Sequence, residues 1–453
     1  MQLYQAILGG AAVFGMTKDL SLRIVTSPPG VSPPVVSTTR LSWATSLFYF
    51  GMLAGLFPLT YLFQRFRLGR VLGIAVVTWG GVAMLTATVS SYRGLYVQRF
   101  FLGVTESIMP TAFMVVVSGY YTQAEQTMRQ SWWYSSAGGF TILGAALNYA
   151  FASITSGALK PWQYLYLLAG SLTAVFGLCC FALPNSPASA WWFSPEERTV
   201  AIERLRMGQL GVRCQRLKGA QVREAVRDLK TWILGVMMAA AYTANGAVTG
   251  FGPLIVSTFG YTPQEALLWQ MPLGAVVFVA ILATGFLSLY VPNIRLVMMI
   301  SCCVPVIAGC AIIWKSAWVH HAPAPIVGYT LIGFFGPVSS LIVSTAMVNV
   351  AGATKKSYMA ANVFVFYCVG NIVGPLMVRS QSLGRHYPEL WMGIIICYCL
   401  VVVLALVLGW MLRRENRRRE GELARGGLDA KEAEKVAFED LTDGQNIHFR
   451  YVY

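Results

Sequence analysis

Residues Gly94–Tyr121 read GLYVQRFFLGVTESIMPTAFMVVVSGYY, a stretch long and apolar enough to cross a bilayer except that Arg99 and Glu106 lie inside it. A charged side chain at the centre of a membrane helix costs at least ~2.5–3.5 kcal/mol, so it faces a bundle interior or a watery cavity, not lipid. Seven positions apart on an α-helix, the two side chains differ by about 20° in direction and about 10 Å in height. They therefore share one face, and that face is the first place to look for a polar path.

The rest of the chain agrees with a membrane reading. Of its 453 residues, 56% are hydrophobic and 12% charged, and the mean hydropathy is +0.57. A soluble domain carries about 25% charged residues, so a soluble enzyme is excluded. The net charge of +15 would suit a nucleic-acid partner, but the basic residues gather in short connections and just after the last apolar run. That is the positive-inside pattern of a multi-pass protein, and no nucleic-acid partner is expected. The nine cysteines lie mostly within apolar runs and show no metal-ligand spacing, so neither metal nor cofactor is expected.

Apolar runs of spanning length fall near 43–63, 71–90, 94–121, 132–156 and 163–183, then near 231–258, 266–291, 295–314, 324–349, 358–379 and 390–412. These are eleven clear spans, five before a polar gap and six after it. The run Gln5–Met16 is too short to cross alone and reads as the later part of a truncated first helix. The fold predicted is an all-α membrane protein, a bundle of two six-helix halves repeated about a central linker. Residues 1–183 form the first half, with an irregular Pro/Ser/Thr-rich insert at 23–40. Residues 184–230 are the linker, 231–412 the second half and 413–453 a tail, read as disordered from its balanced charge. Charge asymmetry puts linker, tail and both termini on the cytoplasmic side. Within the linker, Ser194-Pro195-Glu196-Glu197 has the form of a helix start.

Several polar side chains sit within the spans. Asn148, Asn245, Asn362 and Asn371 each suit interhelical hydrogen bonding, worth about 0.6 kcal/mol on average. Asn245 is the stronger candidate for substrate contact, because Gly246, Gly250, Gly252 and Pro253 loosen its helix. His320 and His321 are adjacent in a loop, two ligands short of a metal site. The chain has no nucleotide-binding loop, HExxH helix or GxSxG elbow, so it is read as no enzyme, and any transport would run on an ion or solute gradient.

At this point particular motifs become specific. RFFLGVTESIMP (Arg99–Pro110) resembles the fourth helix of the major facilitator superfamily, and within it the anion:cation symporter group and its fungal allantoate permease branch. FPLTYLFQRFRLGRVLG (Phe57–Gly73) is similar to the loop between that branch's second and third helices, with Gln64-Arg65 in place of the superfamily's usual Asp-Arg. YTQAEQTMRQSWWYS (Tyr121–Ser135), GNIVGP (Gly370–Pro375) and the tail FEDLTDGQNIHFRYVY (Phe438–Tyr453) also match. Where the branch often has Asn-Gly in its fifth helix, this chain has Ala137-Gly138.

The resemblance implies a plasma-membrane secondary transporter that moves a small organic anion, a carboxylate, ureide or vitamin-like acid, inward with a proton as a monomer. Arg99, Asn245 and Asn371 are then expected at the substrate, Glu106 as the proton carrier, and Arg65, Gly69 and Arg70 at the cytoplasmic gate. A metabolite efflux carrier of a biosynthetic cluster, and a non-transporting sensor or decayed copy, are the alternatives.

Overall fold

The computed structural model describes residues 2–22, 24–25, 36–121, 123–154, 157–184, 187–206, 218–291, 293–319, 322–379, 382, 386–426 and 441–453. His320 and His321 lie outside them. The first half contains α1 (Gln2–Val13), α2 (Met16–Asp19), α3 (Thr39–Arg65), α4 (Leu68–Met84), α5 (Tyr92–Glu106), α6 (Ile108–Tyr120), α7 (Gln123–Ala152) and α8 (Pro161–Cys180). The linker holds α9 (Pro195–Arg206) and α10 (Gly219–Arg227). The second half contains α11 (Leu229–Ser257), α12 (Pro263–Leu268), α13 (Gln270–Tyr290), α14 (Arg295–Lys315), α15 (Pro323–Ile332), α16 (Phe335–Val348), α17 (Ala353–Met377) and α18 (Pro388–Gly426).

Each of the eleven expected spans is helical, and nine helices among the described residues are long and apolar enough to cross a membrane. The α5–α6 unit and α7 fall outside that nine; they carry Arg99, Glu106, Glu125 and Arg129. At 12 residues, α1 is too short to span. In the irregular insert, Ile24–Val25 pairs antiparallel with Val36–Ser37. The expected linker helix starts where its cap predicts: Glu197 N donates to Ser194 Oγ at 3.2 Å and Ser194 N to the Glu197 carboxylate at 2.8 Å.

Three spans are each broken in two shortly before a proline. Pro110, Pro272 and Pro337 are each the third residue of the second piece, after breaks at Ser107, Trp269 and Gly333-Phe334. A proline inside a helix lacks the N–H donor, and its ring clashes with the carbonyl four residues earlier. For Pro110 that carbonyl belongs to Glu106.

The halves meet along three lines: α1 against α11, α3 against α17, and α7 against α13. On the side away from the linker, Ser42 Oγ donates to the Pro375 carbonyl at 3.0 Å and Ser46 Oγ to that of Ile372 at 3.3 Å. Gly138 of α7 packs on Gly274 of α13 so closely that an added Cβ would lie 2.4 Å from the Gly274 carbonyl.

The tail differs from its expectation. Residues 441–453 fold back against the linker-side ends of the second half, held by side chains that composition does not pair.

Candidate functional site

Helix α5 begins at Ser91, whose side chain accepts from Gly94 N, and carries both intramembrane charges inward. Arg99 is 0% exposed and Glu106 1%. Arg99 Nη2 donates to the Tyr166 hydroxyl at 2.6 Å, tying α5 to α8. Its Nε and Nη1 have no hydrogen-bond partner among the described residues. Glu106, at the break before Pro110, lies beside the Trp79 indole and within electrostatic reach of Arg99. Trp79 packs edge-on to Tyr4 at 5.3 Å, and Tyr4 is itself anchored on α8 through the Ala169 carbonyl and Thr173. The helix thus holds a cation and a carboxylate together in a dry, aromatic setting, where charges interact far more strongly than in water.

The two asparagines expected at the substrate are brought together, and they bond to each other. Asn245 Nδ2 donates to Asn371 Oδ1 at 2.8 Å, Asn371 Nδ2 donates to the Tyr367 carbonyl at 2.9 Å, and Asn245 Oδ1 accepts from Thr249 Oγ1 at 3.0 Å. In this conformation they fasten α11 to α17. Asn148 and Asn362 likewise donate across helices, to the carbonyls of Ala6 and Thr231.

Sequence reasoning misses four buried tyrosines. Tyr49 and Tyr134 come from the first half, Tyr242 and Tyr367 from the second. The Tyr49 and Tyr367 rings meet at 6.0 Å, and those of Tyr242 and Tyr367 at 4.3 Å. The Tyr242 hydroxyl lies within interaction reach of Tyr134, across the halves, and of Ser339. A signal exists: membrane tyrosines concentrate at the two interfaces, whereas these lie in mid-span.

Between the halves, a cavity of about 30 Å³ is lined by Asn148, Thr141, Thr249, Gln270 and Phe335 among others. That is room for a water, not for a solute. Tyr329 donates to Gln270 Oε1 at 2.6 Å on its wall.

The expected gate residues sit apart from this centre. Arg65 is exposed and donates to Tyr61 of its own helix at 3.3 Å. Arg70 is exposed. Gly69 lets α4 close on the end of α8, where an added Cβ would lie 2.4 Å from the Leu183 carbonyl. Among the described residues, no group of three metal-ligating side chains forms a cation site.

This arrangement of helices has relatives. Residues 2–375 match the Major Facilitator Superfamily. The chain belongs to that superfamily. It is 29% identical over 457 residues to the allantoate permease of Saccharomyces cerevisiae, covering 97% of this chain and 80% of that one. It is 30% identical over 396 residues to the thiamine pathway transporter THI73 of the same yeast, covering 87% and 74%. Among solved structures, the proton:xylose symporter XylE bound to 6-bromo-6-deoxy-D-glucose superposes with a TM-score of 0.63 at 14% identity, covering 89% of this chain and 94% of that one. At that identity the likeness concerns the fold alone. As a superfamily member, the protein is a multi-pass membrane transporter and not an enzyme.

Proposed function

We propose that the protein carries a small organic anion, a carboxylate, ureide or vitamin-like acid, inward with a proton, by rocking of its two halves about the α5 charges. The observation that carries this reading is the Arg99 guanidinium, fully buried, with Nε and Nη1 meeting no hydrogen-bond partner among the described residues. A planar guanidinium presents paired donors that suit a carboxylate. Glu106 then supplies the coupling: while it is ionised, its charge balances Arg99, and when it is protonated, the cation needs an anion in its place. One proton and one anion thus enter together. The Asn245–Asn371 pair and Thr249 would contact the polar remainder of the solute, and Arg65, Gly69 and Arg70 would act at the linker-side gate. The name of the allantoate permease supports a ureide carboxylate among these solutes. The reading places a monomer in the plasma membrane with both termini cytoplasmic.

The test is an uptake screen in cells expressing the chain, using radiolabelled carboxylates, ureides and vitamins against Arg99→Ala. Arg99-dependent accumulation of an acid is expected. Accumulation only of uncharged solutes, equal in both, would overturn the proposal.

A further inference from the structure

Lys230 is the second residue of α11 and Lys355 the third of α17, both at helix N-termini, where the backbone already presents partial positive charge. Both side chains are nearly buried. Two ammonium groups so placed are unfavourable unless carboxylates meet them. The linker supplies two: Lys355 Nζ lies 2.9 Å from both the Glu224 and the Asp228 carboxylates. The third comes from the tail. Asp443, 1% exposed, sits 2.6 Å from Lys230 Nζ through one oxygen and 2.8 Å from Lys355 Nζ through the other. The Tyr451 hydroxyl donates to it at 2.8 Å.

Around that centre residues 441–453 are bonded along their length. Arg419 of α18 donates to the carbonyls of Asp443, Asn446 and Phe449. The Asn416 side chain brackets the backbone of Tyr451, and that of Asn349 brackets Val452, each both donating and accepting. Thr442 Oγ1 donates to Glu224 at 2.8 Å, and Tyr453 N donates to Asn293. Every one of these partners lies in α10, at the start of α11, or on the linker-side ends of the second half.

We propose that residues 441–453 are a clasp that fastens linker helix α10 to the second half, so that linker and second half move as one body while the halves rock. Without it, α10 would keep to the second half through the Lys355 ion pairs, the bonds of Gln221 Oε1 to the amides of Thr354 and Lys355, that of Lys218 N to Thr354 Oγ1 and that of Trp232 Nε1 to the Val226 carbonyl. With it, Asp443 joins the starts of α11 and α17 to each other and, through Thr442, to α10.

The experiment is amide hydrogen exchange on the full chain in lipid nanodiscs, comparing wild type, Asp443→Asn and the double variant Lys355→Met with Asp443→Leu. In wild type, peptides from 441–453 and from 219–227 are protected. In Asp443→Asn both lose protection together by about tenfold or more, while first-half peptides are unchanged. The double variant removes the Lys355–Asp443 pair but leaves Lys230 without its 2.6 Å partner, so both segments stay deprotected together, as in Asp443→Asn. If Asp443→Asn fails to fold, Tyr451→Phe carries the same comparison. Tail peptides that exchange in wild type as fast as a free chain would overturn the clasp. So would release of the tail that leaves 219–227 fully protected.

Discussion

Arg99 of α5 donates to the Tyr166 hydroxyl of α8 at 2.6 Å, so the orientation of the buried cation is set by a helix that sequence order keeps 67 residues away. Hydrogen bonds to charged groups are worth about 1.5–3 kcal/mol. On the proposed function, Tyr166→Phe should therefore raise the KM for an anionic solute by about tenfold or more, with surface expression retained. Kinetics of uptake alongside quantified expression check it; an unchanged KM would detach Tyr166 from the role of Arg99.

Glu106→Gln keeps the shape of the side chain and removes its ionisation. Uptake by the variant should lose its dependence on external pH while keeping measurable exchange of anion across the membrane. Rates measured from about pH 4 to about pH 8, in about half-unit steps around the carboxyl range, decide the matter. A wild-type pH profile in the variant would place the coupling group elsewhere.

The Asn245–Asn371 bond predicts a modest energetic coupling. A double-mutant cycle of Asn245→Ala and Asn371→Ala on thermal stability in detergent should return about 0.6 kcal/mol, and at most about 1.7 kcal/mol, as for other membrane hydrogen bonds. If both asparagines also touch the solute, each single variant raises KM. Uptake indistinguishable from wild type would leave them a purely structural role.

Gly138 faces Gly274 across the seam between halves, with no space for a Cβ. Gly138→Ala should cost about 1–3 kcal/mol by overpacking. A thermal melt in detergent would register this, and the next residue gives the control. Gly139 has no atom nearer than 3.8 Å to an added Cβ, so Gly139→Ala should hold or raise the melt, by up to about 1 kcal/mol of helix preference.

The clasp makes a prediction about acid. Burial opposes ionisation of Asp443, but Lys230 and Lys355 outweigh it and hold its carboxyl below the usual range. A carboxyl depressed in the folded state adds stability that is fully present above its unfolded pKa of about 3.9 and is lost as pH falls through the lower folded value. Tyr451, Asp228, Glu224 and the Arg419 guanidinium surround the same site. Protection of 441–453 should thus be flat from neutral pH down to the ordinary carboxyl range and fall only below it. Release at a pH near that of an ordinary histidine, about 6.5, would contradict this, as would tail protection that never depends on Asp443.

Much of the architecture follows from local composition. A span of about twenty apolar residues must satisfy its backbone internally, so it is helical wherever it lies, and all eleven expected spans are. Proline alone does not place the breaks: Pro110 follows one, whereas Pro58, Pro253, Pro305 and Pro375 sit inside continuous helices. The tail escapes such a reading because net charge describes solvation, whereas docking depends on where Lys230, Lys355 and Arg419 arrive from distant helices.

The pair Arg99 and Glu106 shows the same division. Seven positions of helix geometry place both on one face, and the cost of charge in hydrocarbon turns that face inward; neither conclusion needs a neighbour. Which groups meet them is another matter. Tyr166, Trp79 and Tyr4 come from three other helices, and Asn245 finds Asn371 across 126 residues. Periodicity along one helix is a property of the chain, but hydrogen-bond partners are a property of how helices pack, and packing is settled only when every helix is in place.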